Sequence, residues 1–291
     1  MPNWFLLVLL SAITLGIYDT TRKVAMKGNS VLPVLFWATS SGTAFLVLIM
    51  ILTGRFAANW NCGWDAYGFV WIKTLLVSAS WYCGYAAMLT LPLSLAAPVN
   101  ASRPLWVFLG GLLIYHEFPT FWKGVGMALI FIGYYLLNSA GGREGFSFKK
   151  STGMKYCLAG AMLGSASALY DKFLLNIIKL PPQTVQLHFA VDLVILFGAA
   201  LLFACACRMK VKFHWHISIP ATGILLIIAD CVYFYALSMP DVHISQVSLI
   251  RRCSCLVTFL MGVICFKERN IRGKLAALLL ILAGVVVMAL L

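Results

Sequence analysis

Ten apolar runs follow one another through this chain with almost nothing between them. A helix needs about 20 consecutive, mostly apolar residues to cross a bilayer. Runs of that size cover roughly 4–26, 31–53, 67–90, 94–115, 120–140, 153–177, 183–207, 216–238, 242–266 and 270–291. The longest polar stretches, 55–65, 141–155 and 208–216, are too short to fold into a soluble domain. The 291 residues give about 29 per run including its loop, which suits a compact small-solute transporter. Of all residues, 62% are hydrophobic and 11% charged, against about 45–50% and about 25% in soluble domains. A soluble enzyme, a disordered chain and a nucleic-acid-binding domain are therefore poor readings. The net charge of +13 reads as basic flanks of membrane helices. The first run lacks a basic leader and a small-residue cleavage site, so it is expected to stay as a span.

The nine cysteines fall mostly inside apolar runs, where a free thiol behaves as a small hydrophobe. Neither Cys205/Cys207 nor Cys253/Cys255 has a zinc-ligand spacing, so no metal site is expected. No nucleophile elbow, phosphate loop or dinucleotide fingerprint occurs, so neither an enzyme nor a cofactor is expected.

The two halves repeat. Tyr18-Asp19 returns as Tyr170-Asp171, 152 residues later. Cys83, Tyr85 and Pro92 match Cys231, Tyr233 and Pro240 at an offset of 148. Glu117 and Glu268 are 151 apart, and each is followed sixteen residues on by a glycine, Gly133 or Gly284. The order is kept and the offset drifts by four residues, which supports a duplicated five-helix unit, 1–145 and 146–291. Five is odd, so the second copy begins on the opposite face from the first. The fold class expected is thus all-α integral membrane, ten transmembrane helices as two inverted five-helix repeats around one site.

Each half ends in a short loop, a Glu, basic or polar residues and a last helix containing Gly. The stretches are Leu112 to Gly133 (LLIYHEFPTFWKGVGMALIFIG) and Val263 to Gly284 (VICFKERNIRGKLAALLLILAG). This pattern resembles the EamA branch of the drug/metabolite transporter superfamily. The resemblance implies a secondary carrier for metabolites such as amino acids, nucleotide sugars or drugs, with Glu117 and Glu268 marking the loop and not binding substrate. His116 departs from the pattern by standing where Gly commonly precedes the Glu. The resemblance also implies both termini inside the cell. The charges say otherwise: fourteen Lys and Arg flank the loops after odd-numbered runs, and five, among them Lys73 and Lys172, the even-numbered side. Basic residues favour the cytoplasm, which puts both termini outside it.

Charge at bilayer depth is costly, about 2.5–3.5 kcal/mol per residue, and marks sites by default. Arg103 lies mid-run in span four, Arg251 and Arg252 mid-run in span nine. They read as a basic cavity for a carboxylate or phosphate, or as helix-holding partners of Asp19, Asp171, Asp192 or Asp230. Asn100 lies one turn from Arg103. Trp81, Tyr82 and Tyr85 in span three and Tyr233 and Tyr235 in span eight are candidate pocket aromatics. Asp192, Asp230 and His188 are candidates for proton coupling, His188 and Asp192 sharing a helix face at i, i+4. Asp19 and Asp171 read as structural. The function expected is a secondary carrier, in the plasma or inner membrane, of a small metabolite with an anionic group. A carrier or flippase of a lipid-linked anionic sugar is the alternative, favoured by a groove open to lipid and lined by Arg103 and Arg252. The partners expected are the small-molecule substrate, the lipid bilayer and protons, with no nucleic acid, and the chain acting as a monomer.

Overall fold

The structure, a computed structural model, describes residues 3–61, 63–90, 103–139, 152–240 and 242–254, with 257, 261, 276, 279–284 and 286–287. Among the described residues every regular element is a helix: α1 (Asn3–Ala25), α2 (Val31–Leu52), the short α3 (Phe56–Trp60), α4 (Trp64–Thr90), α5 (Arg103–Tyr115), α6 (Phe121–Ser139), α7 (Thr152–Lys172), α8 (Pro182–Ala206), α9 (Ser218–Leu237) and α10 (Ile244–Arg252). Four are long and apolar enough to cross a membrane: α1 over Trp4–Arg22, and α2, α8 and α9. α7 runs on into a π-helical turn, Phe173–Ile177. Leu6, Leu48, Leu113, Leu202 and Phe203 are exposed, as lipid-facing side chains must be.

Without a hydrophobic force between helices in lipid, close approach comes from small residues. α2 and α9 meet at Gly42 and Gly223, where a Cβ on Gly42 would stand 2.6 Å from the Gly223 carbonyl. α4 and α7 meet at Gly84 and Gly160, where a Cβ on Gly160 would stand 3.1 Å from the Gly84 nitrogen. The principal pairings are α1 with α9, α4 with α7, α2 with α9 and α8, α4 with α8, α5 with α7 and α10, and α1 with α10. Helices from the two ends of the chain are thus interleaved, and the buried core runs through α1, α2, α4, α5, α6, the π-helical turn after α7, α8, α9 and α10.

Loops meet at two faces. On one, Asn29 and Ser30 pair with the segment before α9: Ser30 N donates to the Lys212 carbonyl at 2.8 Å, and Lys212 N to Ser30 Oγ at 2.9 Å. On the other, α3 packs on the start of α8, with Thr184 Oγ1 donating to Asn59 Oδ1 at 3.1 Å. On that same face Glu117, just past α5, is buried and ion-paired to Lys172. It accepts from the first-turn nitrogens of α10, Ile244 at 3.1 Å and Ser245 at 3.5 Å. The carboxylate satisfies donors that a helix start leaves unpaired. To reach it the chain turns through a left-handed residue, His116, at φ 52°.

Candidate functional site

The helices line a cavity of about 250 Å³ whose wall is rich in charge. α1 contributes Tyr18, Asp19 and Arg22; α4 contributes Lys73, Ser80 and Trp81; α5 contributes Arg103. α7 contributes Gly164 and Asp171; α8 contributes Phe189; α9 contributes Asp230 and Tyr233; α10 contributes Arg251. Among the described residues, four cations face three carboxylates, a formal excess of one positive charge.

Ion pairs between helices organise it. Lys73 pairs with Asp171, and its ammonium lies 4.5 Å from the Phe189 ring and 4.7 Å from the Phe234 ring, an aromatic cage that compensates lost hydration. Arg251 pairs with Asp230. Its Nε donates to Ser11 Oγ at 3.2 Å and its guanidinium lies 4.1 Å over the Tyr233 ring. Tyr233 joins the pairs, because its hydroxyl donates to Asp171 Oδ2 at 3.1 Å while its ring face bears Arg251. Arg103 donates to the Gly160 carbonyl at 3.0 Å and to Ser80 Oγ at 3.5 Å. It fits because residue 164 has no side chain: a Cβ there would stand 3.0 Å from the guanidinium carbon.

Of the residues singled out in the sequence, Arg103, Arg251, Trp81, Tyr233 and Asp230 line this cavity. Tyr82 and Tyr235 do not; they are 65% and 57% exposed. Asn100 and the side chains of Tyr85 and Arg252 lie outside the described residues. Asp192 and His188 form a separate buried cluster near α3. Asp192 accepts from Tyr67 Oη at 3.3 Å and Thr74 Oγ1 at 3.5 Å, with no cation paired to it among the described residues. His188 stacks on Trp60 at 5.1 Å and meets the Tyr67 ring edge at 5.4 Å. The helix face expected to join His188 and Asp192 is thus bridged by Tyr67.

Sequence reasoning missed Lys73 and undervalued Asp171. Lys73 counted as a loop charge, yet it is 2% exposed. α4 begins at Trp64, three residues before the expected start, which sets Lys73 about 14 Å along the helix. The apolar Trp64 and Tyr67 around Asp65 were the available signal.

The model of the EamA-like transporter family matches residues 2–139. Among solved structures, one crystal structure of a protein is similar over 99% of this chain and 95% of its own, with a TM-score of 0.76 and 18% identity. That likeness carries the fold, over nearly the whole chain, and nothing of function. No curated protein matches the chain.

Proposed function

Through residues 2–139 this chain belongs to the EamA-like transporter family, and from that premise we propose a secondary carrier of a small organic metabolite with an anionic group, working by alternating access. The observation that carries the reading is the cavity wall of four cations and three carboxylates. A guanidinium fork grips carboxylate or phosphate by two bonds. An arriving anion would displace Asp230 from Arg251, and a proton would then replace the lost counter-charge on that carboxylate. Asp192, buried with no cation paired to it among the described residues, is the second coupling candidate.

The inverted repeat is part of the proposal, with 1–145 and 146–291 as the halves, and the packing supports it. Exchanging α1 with α7, α2 with α8, α4 with α9 and α5 with α10 maps the main contacts between halves onto one another. The α1–α9 contact becomes α7–α4, α2–α9 becomes α8–α4, and α5–α7 becomes α10–α1. The α5–α10 and α2–α8 contacts map onto themselves. Such an exchange is what a two-fold relation between the halves produces. A monomer suffices, since the cavity is built within one chain.

The test is a thermal-shift screen of purified protein against small carboxylates, phosphates, neutral metabolites and amines. A bound ligand raises the melting temperature through mass action. Stabilisation by an anion, abolished in Arg251→Ala, is expected. Stabilisation by neutral or cationic compounds alone would overturn the anionic assignment.

A further inference from the structure

Two further spaces adjoin the charged cavity. An apolar chamber of about 30 Å³ opens off its side, sharing Tyr18, Trp81, Phe189 and Asp230 with it and continuing to Ala38, Leu193 and Ile227. A separate groove of about 410 Å³ lies between α2, the start of α8 and the end of α9. Leu46, Met50, Cys231 and Tyr235 supply its apolar surface, and Arg55 stands in its wall just beyond α2. One residue lines both spaces: Gln186 of α8.

Gln186 is 1% exposed, and among the described residues neither its amide nitrogen nor its amide oxygen has a hydrogen-bond partner. A buried amide left unpaired is costly, whereas Leu of similar size would fill a purely structural wall without that cost. The lack of partners has a mechanical consequence, since swinging this side chain aside breaks no hydrogen bond. With it in place, the chamber has room for about two water-sized groups. With it turned, chamber and groove become one space in the size range of ligand pockets, about 300–1,000 Å³.

We infer that Gln186 is a door between the apolar chamber beside the charged cavity and the groove at the ends of α2, α8 and α9, and that the substrate is an amphipathic anion. The inference rests on the anionic-carrier reading above. The head, a carboxylate or phosphate, sits at Arg251 and Arg103. The apolar arm passes Trp81 and Phe189, crosses the Gln186 position and ends among Leu46, Met50 and Tyr235. The groove gives the arm a lipid-like surface while the head stays with the cations, so a long-chain anion gains contacts that a short one lacks.

The experiment uses the full chain in lipid nanodiscs and a twelve-carbon carboxylate or alkyl phosphate with a diazirine at its chain end. Adducts are mapped after illumination, with butyrate or butyl phosphate as competitor. The short anions fill only the charged cavity and are also scored by thermal shift. The expected result is labelling at Leu46, Met50, Cys231 or Tyr235 that the short anion competes away. Labelling falls at least tenfold in Gln186→Trp, which closes the door, while the short anion's thermal shift is kept. Gln186→Phe carries the same test where the indole prevents folding. Labelling that ignores the short anion, or that survives Gln186→Trp and Gln186→Phe, makes the groove an ordinary lipid-facing surface and overturns the door. If the short anions neither shift the melting temperature nor compete, the anionic-carrier reading itself fails, and the door falls with it.

Discussion

At the residue scale, the cavity cations divide by how they are held. Arg251 is fastened by Asp230, Ser11 and the Tyr233 ring, whereas Arg103 reaches across to the α7 backbone at Gly160. Arg103→Lys keeps the charge and loses the fork. Anion affinity is expected to fall about tenfold to a hundredfold, from a charge-assisted bond of about 1.5–3 kcal/mol. Titration calorimetry with the stabilising anion checks this, and unchanged affinity makes Arg103 a packing residue only. Asp230→Asn strips Arg251 of its counter-charge, and leaving a partly buried cation unpaired costs about 3–5 kcal/mol. Asp192→Asn breaks no ion pair and should fold as the parent does. If Asp192 couples protons, uptake in that variant loses its pH dependence. An unaltered pH profile, in both variants and in their combination, removes proton coupling. The cost of charge in lipid made Arg103, Arg251 and Asp230 legible in the sequence. It could not say which aromatics face inward, because successive helical residues point about 100° apart. Trp81 lines the cavity and Tyr82 faces outward for that reason.

At the element scale, ends of helices lock the bundle as much as their sides do. Glu117, read in the sequence only as a family marker, binds Lys172 of α7 and caps α10, so one carboxylate ties three helices. That role was not legible, because it depends on a contact between residues 127 positions apart. Glu117→Gln retains an acceptor for Ile244 but abandons Lys172, whose side chain is 13% exposed. A loss of about 3 kcal/mol is expected, since the buried cation loses its counter-charge and keeps only the Val242 carbonyl at 2.9 Å and the Tyr115 ring. Glu117→Gln combined with Lys172→Met should recover part of it, as read from melting temperatures; no recovery would mean the cap, not the ion pair, holds the helices. The approach to this carboxylate passes through His116 at φ 52°, where the family pattern has Gly. A non-Gly residue there costs about 1–2 kcal/mol and Gly's extra chain entropy about 0.5–1. His116→Gly should therefore stabilise by about 0.5–1 kcal/mol. A lower melting temperature would show that the imidazole makes up for its backbone.

At the scale of the whole molecule, orientation is the property on which charge and family likeness part. The loop contacts sort the chain into two faces that agree with the alternation of spans. Asn29 and Ser30 after α1 meet the segment after α8 on one face. The segments after α2, α5 and α9 meet the starts of α8 and α10 or the end of α7 on the other. Two of the five basic residues counted on that second face are not loop charges. Lys73 is buried in the cavity wall beside Asp171, and Lys172 is neutralised by Glu117. Arg22, counted on the first face, lines the cavity as well, so leaving out all three gives thirteen against three and the bias stands. The other face keeps Arg208, Lys210 and Lys212 in one exposed loop. Positive charge in short loops is retained on the cytoplasmic side, so this loop is expected inside and the C-terminus outside. A C-terminal reporter that works only in the cytoplasm should stay dark, and one that needs an oxidising exterior should be active. Replacing Arg208, Lys210 and Lys212 by Gln should weaken the preference and yield a mixed population. A cytoplasmic reporter that is bright in the parent, and unmoved by the triple substitution, would mean that some determinant other than these loop charges fixes the orientation.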